Sequence, residues 1–134
     1  MQPKFSVWFG LLVLLVVRSA AAADVLYVVC HEGVSLDAAE VRYVYLGEKQ
    51  FANTIRLLPV DNVAAQVAFL ERVLKVDATR YSGIWTKKWF RDGINPPPIK
   101  AGNAEALAYV KQTQGGCSYI GVDPGPGVTV IARY

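Results

Sequence analysis

Hydrophobic and polar residues form blocks that predict strands separated by helices. Residues 25–30 (VLYVVC) are apolar and mostly β-branched, which is typical of a strand buried on both faces of a parallel sheet. Residues 54–60 (TIRLLPV) have the same character, but Pro59 lacks an N–H donor and confines this strand to a sheet edge or a strand end. Two more strands are predicted at 117–122 and 128–134, on either side of a turn rich in Pro and Gly.

Four helices are predicted between these strands. Asp37 and Glu40 have the spacing of a capping box, and Gly47 can end that helix in the left-handed conformation. The next helix has apolar residues at helical spacing, namely Val63, Val67, Leu70 and Leu74. Asp77 is predicted to cap the third helix and Asn103 the fourth. The alternation of strands and helices predicts an α/β fold with a mostly parallel sheet, to which the last two strands add an antiparallel hairpin.

The N-terminal residues 1–23 have the three-part pattern of a secretory signal peptide. Lys4 precedes an apolar run at 7–17, and four alanines at 20–23 fit the small-residue rule for cleavage. The alternative is a transmembrane anchor, but Arg18 interrupts the run before the roughly 20 apolar residues that a span needs. The sequence therefore predicts a cleaved signal peptide, no transmembrane segment after cleavage, and a periplasmic or secreted protein.

Residues 24–134 are predicted to form one domain. Because the predicted signal peptide contains two basic residues and no acidic residue, its removal lowers the net charge from +3 to +1. This balance does not favour nucleic acid as a partner. No Ser-His-Asp or Cys-His arrangement and no Gly-rich phosphate loop can be assembled, so we expect no catalytic residues and a binding protein rather than an enzyme.

The two cysteines, Cys30 and Cys117, fall at the end of one predicted strand and the start of another. Export would permit a disulfide. If the strands are parallel neighbours, however, the cysteines lie at opposite ends of a strand about 20 Å long, whereas a disulfide needs Cα atoms within about 7 Å. This geometry predicts two free, mostly buried cysteines. With His31 as the one histidine, the chain also has too few ligands for a structural zinc site, and no metal or cofactor is predicted.

An aromatic pair and a basic cluster share the third predicted helix. Trp85 and Trp89 lie on one helical face, which predicts core packing, and the alternative is that Trp85, Trp89 and Phe90 line a ligand cleft. Lys87, Lys88 and Arg91 are expected at a solvated helix end, where cations favour the helix dipole. The alternative for this cluster is a surface for an anion or an acidic partner.

The order of motifs resembles the phosphate-type periplasmic substrate-binding proteins. The segment SLDAAEVRYVYLGEK is similar to an acid-rich helix of that family, and IRLLPVD, the Trp-bearing helix, the Pro-rich stretch, NAEALAYVKQT and GGCSYIGV follow in the family's order. The resemblance implies the type II periplasmic-binding-protein fold at the size of a single lobe. That fold has three layers, and we expect a sheet of about four strands flanked by helices.

The resemblance also implies a ligand site at one strand-to-helix junction. In full-length receptors this junction reads Asp-Gly-Ser-Gly-Thr and holds phosphate, and here it matches Asp61, Asn62, Val63, Ala64 and Ala65. Only the Asp is kept, so an anion would rely on backbone N–H groups at the start of the helix. The alternative is that Asp61 or Asn62 only caps the helix.

Two functions are therefore expected from the sequence. The first is an exported solute-binding-like protein that binds phosphate or another small anion for an ABC transporter or a sensor. The alternative is a periplasmic interaction module that contacts a membrane transporter or sensor component and has no small-molecule ligand.

Overall fold

The computed structural model describes Pro3 and residues 24–134, so the predicted signal peptide lies outside the described residues. Within the described part, the helices are too short or too polar to cross a membrane. Eight short strands are present there: β1 (Tyr27–Cys30), β2 (Phe51–Ala52), β3 (Ile55–Arg56), β4 (Leu58–Pro59), β5 (Asp61–Asn62), β6 (Ile99–Lys100), β7 (Gly116–Ile120) and β8 (Thr129–Arg133). The helices are α1 (Glu40–Tyr45), α2 (Gln66–Phe69), α3 (Ala78–Asp92) and α4 (Asn103–Gln112).

The main sheet has four strands in the order β4-β7-β1-β8, which confirms the predicted number of strands. The prediction of a mostly parallel sheet is wrong. Strand β1 is antiparallel to both β7 and β8, and only β4 and β7 run parallel. The apolar run at 25–30 indicates burial on both faces of the strand, but it carries no information on the direction of the neighbouring strands.

The predicted C-terminal hairpin is also wrong. Strands β7 and β8 do not pair with each other, because β1 lies between them. The Pro- and Gly-rich turn is present, and Asp123 Oδ1 accepts a hydrogen bond from Gly125 N at 2.8 Å within it. The turn carries the chain past the end of β1, so that β8 pairs with the other edge of β1 and not with β7.

The predicted strand at 54–60 is divided between β3 and β4, and β5 follows it. Strand β4 forms the edge of the main sheet, as Pro59 required, and pairs with β7. Strands β2 and β3 form a small antiparallel pair, and β5 and β6 form a small parallel pair. The second pair brings Asp61 opposite Ile99 and Asn62 opposite Lys100.

The predicted helix after Asp61 begins later and is more irregular than expected. It consists of α2 and a π-helical turn, Leu70–Leu74, and it ends where Lys75 adopts the left-handed conformation. Leu70 and Leu74 are buried, but Val67 is 78% exposed, so the apolar stripe only partly faces the core. For α3 the predicted cap is confirmed, since the Asp77 side chain accepts from Arg80 N at 2.7 Å.

Helices cover both faces of the main sheet. On one face, residues of α1, α2, the π-helical turn and α3 pack against Val28 and Tyr119 of the sheet. On the other face, Ala106 and Val110 of α4 pack against Val29 and Ile120. Alternation along β1 and β7 sends successive side chains to opposite faces, which gives each face its own apolar cluster.

Cys30 and Cys117 form a disulfide, so the prediction of two free cysteines is wrong. The two residues are directly opposite each other in the antiparallel pair of β1 and β7, and their Cα atoms are 4.0 Å apart. The predicted separation assumed parallel neighbours. Antiparallel pairing instead places the end of one strand beside the start of the other.

Candidate functional site

Strand β5 carries two polar residues into the interior. Asp61 is 3% exposed and Asn62 is fully buried. The backbone here is held to the Pro-rich segment and to β6, because Asp61 N donates to Pro98 O at 2.8 Å and Val63 N donates to Lys100 O at 3.1 Å. Since buried polar side chains are costly without partners, their contacts decide what this region can do.

The Asp61 carboxylate is held by two phenols. Tyr81 Oη donates to Oδ1 and Oδ2 at 3.2 and 3.0 Å, and Tyr119 Oη donates to Oδ1 at 2.9 Å. Among the described residues, no Lys, Arg or His forms an ion pair with Asp61. Burial raises the pKa of Asp61 to about 6, and the hydrogen bonds from the two tyrosines oppose this rise only in part. The carboxylate is therefore a buried negative charge without a counterion.

The Asn62 side chain joins three separate parts of the fold. Its Nδ2 donates to Asn103 Oδ1 at 2.9 Å and to Tyr119 O at 3.0 Å, and its Oδ1 accepts from Ala64 N at 3.1 Å. Asn103 Oδ1 in turn accepts from Gly121 N at 3.0 Å. Asn62 thus fixes the start of α4 and the turn before α2 relative to β7.

The turn at Val63–Ala65 leads from β5 to α2. Val63 is 58% exposed and Ala64 is also exposed, whereas Ala65 is buried. The N–H groups that the sequence assigned to an anion already donate within the protein: Val63 N to Lys100 O, Ala64 N to Asn62 Oδ1, and Ala65 N to Asn62 O. The five residues of the predicted site are thus contiguous in space, with their polar groups directed into the fold.

A cleft of about 470 Å³ opens beside Asp61. Helix α3 forms one wall with Tyr81, Trp85 and Trp89, and Pro97 and Ile99 contribute to the cleft lining with Asp61. Trp85 is 6% exposed, which confirms the predicted core packing, but Trp89 is 51% exposed and does not belong to the core. The helical face shared by the two tryptophans therefore spans the boundary between core and cleft.

Sequence reasoning missed two residues of this site, Tyr81 and Tyr119. Tyr119 lies 58 residues from Asp61 in the chain and Tyr81 lies 20 away. Tyr119 sits in the apolar strand β7 and Tyr81 on the buried side of α3, and burial alone explains both positions. No local pattern marks their hydroxyl groups as partners of a carboxylate, so only the fold brings them together.

The prediction that Asn103 caps the fourth helix is wrong, because Gly102 occupies the cap position without a side-chain cap. Asn103 Oδ1 accepts from Asn62 Nδ2 and Gly121 N instead.

Metal-ligating and basic residues are scattered over the described chain. Residues 24–134 contain no group of three His, Cys, Asp or Glu side chains placed to hold a metal ion. His31 Nδ1 lies 2.9 Å from Val110 O, which ties β1 to α4. In the basic cluster of α3, Arg91 pairs with the neighbouring Asp92 at 3.2 Å on the surface.

Comparison with known proteins gives a likeness in fold. No protein-family model matches the sequence, and no curated protein sequence matches it. The fold is similar to that of a Clostridium perfringens protein described as a phosphate ABC transporter substrate-binding protein and solved with bound phosphate, with a TM-score of 0.58 and 15% identity over 79% of this chain and 43% of that one. An ABC-type phosphate transport receptor from Vibrio cholerae gives a TM-score of 0.48 and 15% identity over 85% and 51% of the two chains.

The chain thus spans about half the length of the solved proteins that it matches. The resemblance to phosphate-type substrate-binding proteins is confirmed at the level of the fold, and the chain corresponds to one lobe of such a receptor.

Proposed function

We propose that this chain is an exported, non-catalytic solute-binding-like protein whose ligand site lies at the end of β5. Asp61 would contact the solute in the cleft along α3, and Asn62 and the turn Val63–Ala65, which do not line that cleft, would hold Asp61 at its floor. The observation that carries the proposal is the buried Asp61 carboxylate, which lines a cleft of about 470 Å³ without a counterion. Clefts of this size with few polar groups on a mostly apolar wall are typical of small-molecule sites.

An extracytoplasmic location is supported by the Cys30–Cys117 disulfide. Such bonds persist in oxidising compartments and are rare in the cytosol. The location also agrees with the pattern of a signal peptide at 1–23, which stays a prediction from the sequence. A binding role is supported by the fold, since the Clostridium perfringens protein of similar fold is described as a substrate-binding protein.

Phosphate or another small anion, delivered to an ABC transporter or a sensor, is the finer form of the proposal that the sequence resemblance suggests. An anion at Val63–Ala65 would have to replace hydrogen bonds that these N–H groups make within the protein. It would also lie near the unpaired charge of Asp61, which favours a ligand that brings its own proton or a cation. Because of these two features, the first test should determine which charge the bound solute carries.

Isothermal titration calorimetry on the mature protein tests the site. A panel of phosphate, sulfate, small carboxylates and small amines should contain at least one solute that binds one-to-one at millimolar concentration or tighter, and Asp61→Asn should change its affinity. The matched control is Glu32→Gln, because Glu32 is an exposed acid outside the cleft. Binding that is unchanged in Asp61→Asn would place the solute elsewhere and contradict the proposed site.

An interaction module without a small ligand is the second candidate. Three large apolar side chains are exposed on different elements, Val67 on α2 (78%), Phe90 on α3 (81%) and Ile99 on β6 (63%). Exposed apolar groups favour protein contacts where they form one patch. Site-specific crosslinking in cells from position 67 to a transporter or sensor component, together with no heat for the whole panel, would favour this function over solute binding.

A further inference from the structure

We propose that the cleft beside Asp61 takes an organic cation, namely a small ammonium compound with an apolar body. The inference rests on the proposed function, because it names the class of solute for the same cleft. It names a cation instead of phosphate, the ligand that the similar fold would suggest, and it follows from the charge and the surface of the cleft.

Among the described residues, those that line this cleft include one charged side chain, Asp61, and no Lys, Arg or His. The basic side chains Lys49 and Arg56 line a different cavity, of about 370 Å³, on the far side of Trp85 and the Pro-rich segment. A buried charge is stabilised chiefly by an opposite charge or by hydrogen bonds. An ammonium group would supply Asp61 with an opposite charge and with hydrogen bonds, whereas an anion would place a second negative charge beside the carboxylate.

The carboxylate has room for another donor. An ionised carboxylate has about four acceptor positions. Tyr81 and Tyr119 donate to Oδ1, and Oδ2 accepts only from Tyr81. Tyr119 holds the carboxylate from within the core and Tyr81 holds it from the wall of the cleft, so an N–H group that enters the cleft would use the position left on Oδ2. This arrangement fixes the orientation of the carboxylate before the ligand arrives.

The walls suit a cation for a separate reason. The lining includes three aromatic side chains, Tyr81, Trp85 and Trp89. Aromatic faces attract ammonium groups, and Trp attracts them most strongly. The Trp85 ring is held in place, because its Nε1 donates to Tyr45 O at 3.1 Å. Trp89 is half exposed, so it can contact a ligand without losing core packing.

Three probes of nearly equal shape test the inference on the mature protein: phenethylammonium, 2-phenylethanol and 3-phenylpropionate. They carry charges of +1, 0 and −1 at neutral pH, and inorganic phosphate is added as a fourth probe. We expect phenethylammonium to bind about tenfold or more tightly than the alcohol, since a hydrogen bond to a charged group contributes on the order of 1.5–3 kcal/mol, and one tenfold step is about 1.4 kcal/mol. The carboxylate and phosphate should give no binding at the same concentrations.

Two variants locate the binding. Asp61→Asn should remove the preference for the ammonium probe over the alcohol, and thermal unfolding of this variant checks that it folds. Trp89→Leu changes a half-exposed residue and should weaken the ammonium probe by about threefold to tenfold. Phe90→Leu is the matched control, because Phe90 is the adjacent aromatic residue, 81% exposed, and does not line the cleft.

Different results of these experiments would overturn this inference alone or overturn the proposed function as well. Binding of the alcohol, of 3-phenylpropionate or of phosphate at least as tight as that of phenethylammonium would overturn the inference and leave a solute site in the cleft. Equal loss of affinity in Trp89→Leu and Phe90→Leu would also overturn it. No binding of any probe in this or the wider panel would contradict both the cation site and the solute-binding function.

Discussion

Tyr119 Oη donates a hydrogen bond of 2.9 Å to Asp61 Oδ1, while the Tyr119 ring stacks on Phe69 with 3.9 Å between the ring centroids. One side chain thus belongs to the core through its ring and to the candidate site through its hydroxyl. Tyr45 packs against both rings, at 4.7 Å from Phe69 and 5.5 Å from Tyr119. The position of the Asp61 carboxylate is therefore fixed by the packing of the core.

The buried Asp61 should make stability depend on pH. Its pKa is raised from 3.8 to about 6 by burial, so the folded state binds this proton more tightly than the unfolded state does. Protonation of Asp61 stabilises the folded state at low pH. This stabilisation is lost as the pH rises from about 4 to about 6, which lowers the free energy of unfolding by about 3 kcal/mol. Urea unfolding across this range should show a decline in the wild-type protein that is absent in Asp61→Asn.

The wild-type protein must be compared with a variant, because other titrating groups also make its stability depend on pH. The pKa of Glu40 is lowered, mainly by its hydrogen bond to Lys49, and the pKa of Asp92 is lowered, mainly by its hydrogen bond to Arg91. Glu40 and Asp92 therefore make stability rise with pH, which is opposite to the effect of Asp61. Both acids are present in the wild-type protein and in Asp61→Asn. The groups that face Asp61 are Tyr81 and Tyr119, whose pKa values are raised, mainly by burial, so they stay neutral throughout. Parallel pH curves for the wild-type protein and Asp61→Asn would refute the prediction.

Replacement of Asn62 should destabilise the fold strongly. Asn62→Ala removes the side-chain partner of Tyr119 O and Ala64 N, and it leaves Asn103 Oδ1 with only its hydrogen bond from Gly121 N. The expected loss in the free energy of unfolding is about 3 kcal/mol, since each unsatisfied buried group costs on the order of 1–3 kcal/mol. Asn95→Ala is the control, because Asn95 is exposed and should change stability by less than about 0.5 kcal/mol. Equal stability of the two variants in urea unfolding would contradict this role for Asn62.

Loss of the Cys30–Cys117 disulfide should lower stability substantially. The bond joins residues 87 positions apart, so it restricts a large part of the unfolded chain. The double variant Cys30→Ala, Cys117→Ala is expected to lose about 2–5 kcal/mol in the free energy of unfolding. A reducing agent should lower the stability of the wild-type protein to a similar extent and leave the double variant unchanged. A wild-type protein that is insensitive to reduction would show that the bond contributes little.

Gly115 should tolerate no side chain. It has a φ of +78°, and a Cβ atom there would lie 1.9 Å from Arg56 O. Gly33 has a φ of +91° and no atom within 4 Å of the same position, so Gly33→Ala measures the backbone strain alone. We expect a cost of about 1–2 kcal/mol for Gly33→Ala and about 3 kcal/mol more for Gly115→Ala, because the clash separates β3 from the start of β7. Similar thermal unfolding of the two variants would contradict the close approach.

Features set by neighbouring residues could be predicted from the sequence. The Asp77 cap of α3 and the edge position of Pro59 were confirmed, since both depend on a few residues and on the bonding of a single N–H or side chain. Gly47 was also correctly predicted to be left-handed, with a φ of +73°. The order of motifs indicated a fold that structural comparison supports for 79% of the chain.

Features set by distant residues could not be predicted. The apolar runs indicated which strands are buried but not their direction, and the error in direction led to the wrong prediction for Cys30 and Cys117. The sequence predicted a site at Asp61 and Asn62, which stays a prediction. The phenols that hold Asp61 come from α3 and β7, and the N–H groups meant for a ligand donate within the fold.

The sequence by itself determined the approximate positions of the main strands and helices, the burial of β1 and the polar pair Asp61–Asn62 that forms β5. Local hydrogen bonding and side-chain periodicity act over a few residues, and a single sequence records them directly. Only the tertiary structure decided that the main sheet is mostly antiparallel, that the cysteines meet, and that a carboxylate without a counterion lines the same cleft as Trp89. These properties depend on which strands pair and on what excludes water from Asp61, and both are set by contacts between segments that lie far apart in the chain.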